Sequence, residues 1–313
     1  MSVLTQALPI LLLIAIGVGL RVFSVITAAT VEDLKTLVVT LVLPSVLFTV
    51  FLDLDFQPAY AGVFVLVAAI CLALLVLGRW LGRRLAPNRP YFPFMLTGFE
   101  YGMLGVSLFG AAYGFGNMGY IAIVDLSHEF FIWFVYVPLL MVLRDGASRP
   151  STILKLFVTS PVIIGLVGGI VLNALGLSET IKTAPVVSSV YQVMTLLIAM
   201  AVPIILIIVG YGTSIRREGL REVLFVVGLR YAIIVPAALI LNHFVIAGVF
   251  GLGQPFQVAF FSLMILPPSF IIPVFMQTAS AGDKAYVTNV LAVSTVVTLV
   301  IFSVYLGLNP GLV

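Results

Sequence analysis

The chain is short of charge. Only 9% of its 313 residues are Asp, Glu, Lys or Arg, against about 25% in a typical soluble domain, while 62% are hydrophobic. That balance excludes an ordinary soluble fold and places the chain in a lipid bilayer. Cysteine is nearly absent: Cys71 stands alone, so neither an intramolecular disulfide nor a multi-cysteine metal cage is available. The 15 Lys and Arg give a net charge of +3, yet they lie scattered between apolar runs and form no basic stripe, which argues against nucleic acid as a partner. The sequence holds no Gly-rich phosphate loop, nucleophile elbow or His-Glu-x-x-His pattern, so an enzyme is disfavoured and no organic cofactor or metal is implied.

What is present is apolar sequence in long runs. A helix crossing about 30 Å of hydrocarbon needs about 20 residues, and hydropathy predicts ten spans over residues 3–20, 34–52, 59–81, 91–109, 120–143, 153–175, 186–211, 223–244, 256–279 and 286–306. The remainder is too small for a soluble domain. The first run, 7–20, has no preceding charge and no cleavage-like site, so it is read as a retained span rather than a signal peptide. Every Lys and Arg except Lys182 then falls in or beside the loops after spans 1, 3, 5, 7 and 9. The positive-inside rule predicts a multi-pass protein of the cell's inner (cytoplasmic) membrane with both termini on the non-cytoplasmic side.

Ten spans divide into two halves of five, 1–147 and 148–313, and a duplicated odd-numbered half must be inserted upside down, as in many secondary transporters. Gly17-Val-Gly-Leu20 in span 1 matches Gly168-Gly-Ile-Val-Leu172 in span 6. Leu41-Val-Leu-Pro44 in span 2 matches Met200-Ala-Val-Pro203 in span 7. Pro90-Tyr-Phe enters span 4 as Pro255-Phe-Gln enters span 9. The predicted fold is therefore all-α and integral to the membrane, with two inverted five-helix repeats. Spans 4 and 9 should be broken: span 4 carries Gly98, Gly102 and Gly105, and span 9 carries Pro267, Pro268 and Pro273. Broken backbone at membrane depth needs protein or a hydrated cavity to receive its freed groups, so this pair marks a candidate shared site.

Few ionisable groups remain inside the spans: Glu100, Asp125, His128, Glu129 and Arg230. Each needs a partner, a cavity or neutralisation, since a charge at bilayer depth costs at least about 2.5–3.5 kcal/mol. Glu100 sits on the glycine-flanked break and is the candidate for coupling to H⁺ or Na⁺. Asp125, His128 and Glu129 share one face of span 5 at i, i+3 and i+4, fitting either an outward-facing proton or ion path or an interfacial dimer or headgroup contact. Three such residues on one helical turn are weak evidence for a metal site. Arg230 either snorkels to the cytoplasmic side or pairs with an anionic substrate or acidic side chain. Asn289, Ser269, Ser294, Thr295 and Gln192 are candidate polar ligands for Na⁺ or a carboxylate, although such residues often bond to their own helix. The spacings Gly165-x-x-x-Gly169 and Gly78-x-x-x-Gly82 suit close helix packing, but 27 glycines produce such matches by chance.

Five segments taken in order carry a family resemblance: Leu41-Val-Leu-Pro44-Ser-Val-Leu-Phe48, Ser160-Pro161-Val-Ile-Ile-Gly-Leu-Val-Gly168, Ala201-Val-Pro203-Ile-Ile-Leu-Ile-Ile-Val-Gly210, Leu229-Arg230-Tyr-Ala-Ile-Ile-Val-Pro236, and Leu266-Pro267-Pro268-Ser269 with Ser294-Thr295 downstream. Together they resemble the auxin efflux carrier family. The resemblance implies a fold akin to the bile-acid and Na⁺/H⁺ carriers, spans 4 and 9 crossing at the substrate site, elevator-type alternating access, a homodimer, and small organic anions such as auxin, malonate or malate as cargo. Glu100, Gly98, Gly102, Gly105, Pro267, Pro268 and Ser269 would then form the binding or coupling site. One departure bears on cargo. Family members carry Asn in a pattern like Asn-x-Gly-x-x-Gly-x-Pro, where this chain has Glu100-Tyr-Gly102-Met-Leu-Gly105-Val-Ser107, and the second Asn expected near Ile271 is apolar. A charged Glu100 would repel a carboxylate, so the open readings are an organic-anion carrier with protonation of Glu100, a monovalent cation/proton exchanger, or a non-transporting sensor or structural subunit.

Overall fold

The computed structural model describes residues 3–147, 149–217, 219–309 and 311–312, with side chains from residue 8 onward. The two chain ends, Met1 and Val313, and the expected boundary at Ser148 lie outside the described residues. All regular elements among them are helical: α1 (Val3–Val22), α2 (Ala28–Leu52), α3 (Ala59–Leu85), α4 (Phe92–Leu96), α5 (101–113), α6 (Phe115–Asp145), α7 (Pro150–Val158), α8 (Pro161–Ala174), α9 (Ser178–Thr183), α10 (Pro185–Gly212), α11 (Leu220–Val249), α12 (Gln254–Met264) and α13 (Ala281–Leu308). Seven segments are long and apolar enough to cross a membrane: α2, α3, α4 with α5, α6, α10, α11 and α13. The protein is a multi-pass helical membrane protein.

The predicted span 153–175 is not one straight helix. α7 and α8 meet at 66°, because Ser160 precedes Pro161 and is driven into extended backbone (φ −67°, ψ 123°). Span 9 is interrupted where its prolines lead the sequence to expect a break. α12 ends at Met264, and after Pro267 and Pro268 only one short 3₁₀ turn, Ile272–Phe275, precedes α13, since two consecutive residues without N–H groups cannot continue a helical ladder. Span 4 breaks between α4 and α5. Thr97 is extended and Gly98 has φ +73°, a left-handed conformation that glycine adopts without a Cβ penalty.

Close helix contacts organise the rest. Without a hydrophobic drive between helices in lipid, association depends on tight packing at small residues. A Cβ on Gly17 would lie 2.1 Å from the Ile207 carbonyl oxygen, and one on Gly210 2.1 Å from that of Ile14, so α1 and α10 touch backbone to backbone. Gly165 and Gly169 of α8 press likewise on the carbonyl oxygens of Pro44 and Phe48 in α2, each at 2.5 Å from the hypothetical Cβ. Gly78 and Gly82 of α3 abut Pro93 and Phe92 of α4. The two small-residue spacings in the sequence are thus real contact faces.

Polar contacts sort the loops by side. Arg21 donates to the carbonyls of Tyr211 and Thr213 at 2.7 and 2.6 Å. Arg89 pairs with Glu222 at 2.6 Å and with Asp283 at 3.7 Å, and Arg144 donates to Gln277 at 3.3 Å. These bonds join all five basic loops on one face. Lys182, the one basic loop residue outside that set, pairs with Asp53 at 2.6 Å and with Glu179 at 3.7 Å.

Replacing Gly165 by Leu is expected to destabilise the detergent-solubilised protein by the about 1–3 kcal/mol typical of overpacking, read as a lowered Tm. Gly228→Ala, where an added Cβ meets nothing within 4 Å, is expected to hold or raise the Tm.

Candidate functional site

The two interruptions meet. The Glu100 N–H donates to the Pro267 carbonyl at 2.9 Å, and a Cβ on Gly105 would stand 2.8 Å from Leu266 Cδ1. Around this bond, several freed backbone groups find partners within the protein, as burial in a medium without water requires. Arg230, 1% exposed, accounts for three of them. Its guanidinium donates to Met95 and Gly98 at 3.0 and 2.8 Å, on the first interruption, and to Leu266 at 2.9 Å, on the second. It therefore does not snorkel, and it meets carbonyls rather than a carboxylate. The planar fork of Arg suits such divergent acceptors better than a point-like ammonium. Tyr136 donates to the Phe94 carbonyl at 2.9 Å and Thr298 to that of Ile265 at 2.7 Å. Thr298 also pairs with the Tyr231 hydroxyl at 2.7 Å.

Glu100 takes up the N–H groups. Its Oε1 accepts from Met103, at the start of α5, at 3.1 Å, and its Oε2 accepts from Phe270, beyond the second interruption, at 2.5 Å. Negative charge at a helix N-terminus is favourable, since the orphan N–H groups and the macrodipole both point at it. One carboxylate thus joins α5 to the segment following Pro268.

Asp125, His128 and Glu129 project from α6 beside it. The Phe99 N–H donates to His128 Nε2 at 2.9 Å, which puts the ring proton on Nδ1, 2.8 Å from Asp125 Oδ1. His128 is therefore a neutral imidazole that ties the first interruption to Asp125. Trp133 donates to Glu129 at 3.0 Å. The ligand atoms of the three residues lie within 4.8 Å of one another, but both imidazole nitrogens are engaged, so a metal ion would have to displace one of these bonds.

Glu100, Asp125, His128 and Glu129 border a common, partly open cavity of about 350 Å³, lined also by Val39, Leu43 and Leu47 of α2, by Ser160 and Val162, and by Ser269, Phe270 and Ile271. A second cavity of about 460 Å³ shares Val39, Met103, Phe270 and Val274 with it and runs to Glu32, Lys35 and Thr213, on the face that bears the basic loops. The wall is partly built of π turns. Val38–Val42 in α2 and Ile132–Tyr136 in α6 lie just before Pro44 and Pro138, whose missing N–H groups disturb the helical ladder.

Of the residues singled out in the sequence, Glu100, Gly98, Gly102, Gly105, Pro267, Pro268 and Ser269 fall at the interruptions. Asp125, His128 and Glu129 line the same cavity. Asn289 does not border it: its side chain accepts from the Arg216 N–H at 3.1 Å and donates to the Arg216 carbonyl at 2.9 Å, clamping the loop before α11. Thr295 bonds its own helix at Leu291, 2.8 Å away, while bordering the second cavity. Tyr101, Trp133, Tyr136 and Thr298 escaped the sequence reading. For Trp133 a signal existed, its i+4 spacing from Glu129.

Arg230→Met is expected to lower the Tm sharply, because three buried carbonyls lose their donor at about 1–3 kcal/mol each. Arg230→Lys, with one compact ammonium in place of the fork, is expected to recover only part of that loss. No protein-family model and no curated protein sequence matches the chain.

Proposed function

We propose that the protein is a secondary transporter that moves a small solute by alternating access, with the cavity between the two helix interruptions as its cargo site. The observation that carries this reading is the Glu100–Pro267 hydrogen bond, which joins two broken helices beside a cavity lined by ionisable groups. Irregular backbone in a membrane is tolerated where it is buried or lines a cavity, and in carriers it marks the binding site. Glu129 completes no backbone group and bonds only the Trp133 side chain among the contacts of the site, and insertion scales set a cost on a carboxyl placed at that depth.

An arrangement of ten spans in two inverted halves accords with the packing. The α1–α10 contact at Gly17 and Gly210 would pair span 1 with span 7, and the α8–α2 contact at Gly165 and Gly169 would pair span 6 with span 2, the same pairing with the halves exchanged. On this reading the basic face is cytoplasmic, α1, α2, α8 and α10 form a framework, and the interrupted spans move against it as an elevator, as the auxin-efflux-carrier resemblance implies. A homodimer is part of the same proposal. Glu100 is the proposed coupling residue for H⁺, since its two oxygens bridge both interruptions.

Because Cys71 is the chain's one cysteine and is buried, a Cys71→Ala background permits site-directed labelling. Met103→Cys, which borders both cavities, is expected to react with a membrane-impermeant thiol reagent from either face in proteoliposomes, in proportions that an imposed pH gradient shifts. Reaction from one face only, under every gradient, would contradict alternating access. Glu100→Gln keeps one acceptor but offers an amide N–H₂ to the other N–H, and is expected to abolish the effect of the gradient.

A further inference from the structure

We infer that the groove between the basic ends of α3 and α11 is a binding site for an anionic phospholipid, with the phosphate at Arg221 and an acyl chain laid along Leu85 and Phe225. The inference does not depend on the transporter reading. α3 and α11 are both long and apolar enough to cross a membrane. Both pack against α4, α3 through Gly78 and Gly82 and α11 beside the Arg230 bond to the Met95 carbonyl. Where they end on the basic face, the loop 86–91 leads into α4 and borders a groove of about 780 Å³, with Phe92 and Tyr286 buried in its wall. A second hollow of about 440 Å³ shares Arg89, Glu222 and Tyr286 with it and is lined also by Arg216.

The charges of this face do not cancel. Arg89 donates to Glu222 at 3.1 and 2.6 Å, stands 3.7 Å from Asp283 and lies 4.8 Å from the Tyr286 ring centroid. One guanidinium therefore serves both carboxylates. Arg216 and Arg221 are exposed, and no acidic side chain among the described residues pairs with either. Arg83 and Arg84, in the last turn of α3, add charge of the same sign. A phosphate at Arg221 supplies the missing counter-charge, and basic pockets between spans take anionic headgroups for this reason. The headgroup of a zwitterionic lipid would bring an ammonium to the same cations.

A soluble anion would use only that end of the groove. The rest is apolar: Leu85 is 49% and Phe225 51% exposed, and both border the same space as Arg221. Trp80, more than a turn deeper in α3, is also half exposed and lies under the Arg84 guanidinium, 4.3 Å from its ring centroid. Tryptophan with a stacked cation is the side-chain chemistry of the membrane–water boundary, which sets Arg221 at headgroup level and Phe225, one turn further along α11, toward the hydrocarbon. A phosphate covalently joined to an acyl chain matches both ends at once. Occupied in this way, the groove would tie the loop entering the first interrupted span to α11.

Native mass spectrometry of the delipidated, detergent-solubilised protein counts retained lipid as phosphatidylglycerol or phosphatidylcholine is titrated, and Tm is followed in parallel. Glycerophosphoglycerol, the same anionic headgroup without acyl chains, is the third ligand. The expected result is saturable retention of phosphatidylglycerol with a raised Tm, at least about tenfold weaker retention of phosphatidylcholine, and no response to glycerophosphoglycerol. Arg221→Gln is expected to weaken phosphatidylglycerol retention about tenfold or more, and Phe225→Ser to weaken it as well. Arg149→Gln, on the same face but outside the groove, is expected to leave it unchanged. Both groove positions are exposed, so the lipid-free Tm of these variants is expected to stay within about 1 °C of the parent, which separates lost binding from lost fold. Equal losses in Arg149→Gln and Arg221→Gln would overturn the site in favour of general attraction to the basic face. Equal retention of the two lipids would overturn the need for negative charge, and a Tm rise with glycerophosphoglycerol matching that of phosphatidylglycerol would overturn the lipid as occupant.

Discussion

Peptide groups released by a break in a helix cannot be left bare where there is no water, and two breaks side by side double the demand. In this protein the demand is met by two ionisable side chains of opposite sign. Arg230 serves carbonyls of both interruptions and Glu100 serves one N–H group at each. Neither is an ion pair with the other; each completes backbone. The consequence is that two segments far apart in sequence, 95–103 and 265–271, are held as one polar unit, with His128, Tyr136 and Thr298 sealing its rim.

That arrangement separates charges that hold the structure from charges that remain for chemistry. Arg230 is committed to carbonyls through its two Nη atoms. Asp125 and His128 anchor the first interruption, while Glu129 remains on the cavity wall, bonded to Trp133. The adjoining cavity shares part of its lining and reaches Lys35 and Thr213 on the basic face. Proline-associated π turns in α2 and α6 shape opposite walls of the same space, so the cavity is bounded by helices that are locally unwound rather than by straight, close-packed ones.

Much of the architecture was legible because charge is so scarce. Long apolar runs announced the membrane, and the basic loops that Arg21, Arg89 and Arg144 join on one face are those that hydropathy assigned to one side. Gly98 and the Pro267-Pro268 pair announced the breaks through backbone chemistry alone. Arg230 was misread, since a sequence shows a side chain's depth but not the carbonyls that converge on it from two other spans. Asn289 failed for the same reason: its partner is loop backbone at Arg216, which has no sequence signature. The straight span expected at 153–175 failed where Pro161 acted more strongly than hydropathy suggests.

The central claim is that the two interruptions form a single hydrogen-bonded unit. Amide hydrogen exchange of the protein in lipid nanodiscs, resolved for 97–103 and 269–271, tests it most directly, because segments that open together exchange with one common free energy. The account predicts that both segments are protected and lose protection together as denaturant is added. Free exchange of either segment, or protection lost at clearly different denaturant concentrations, would contradict it.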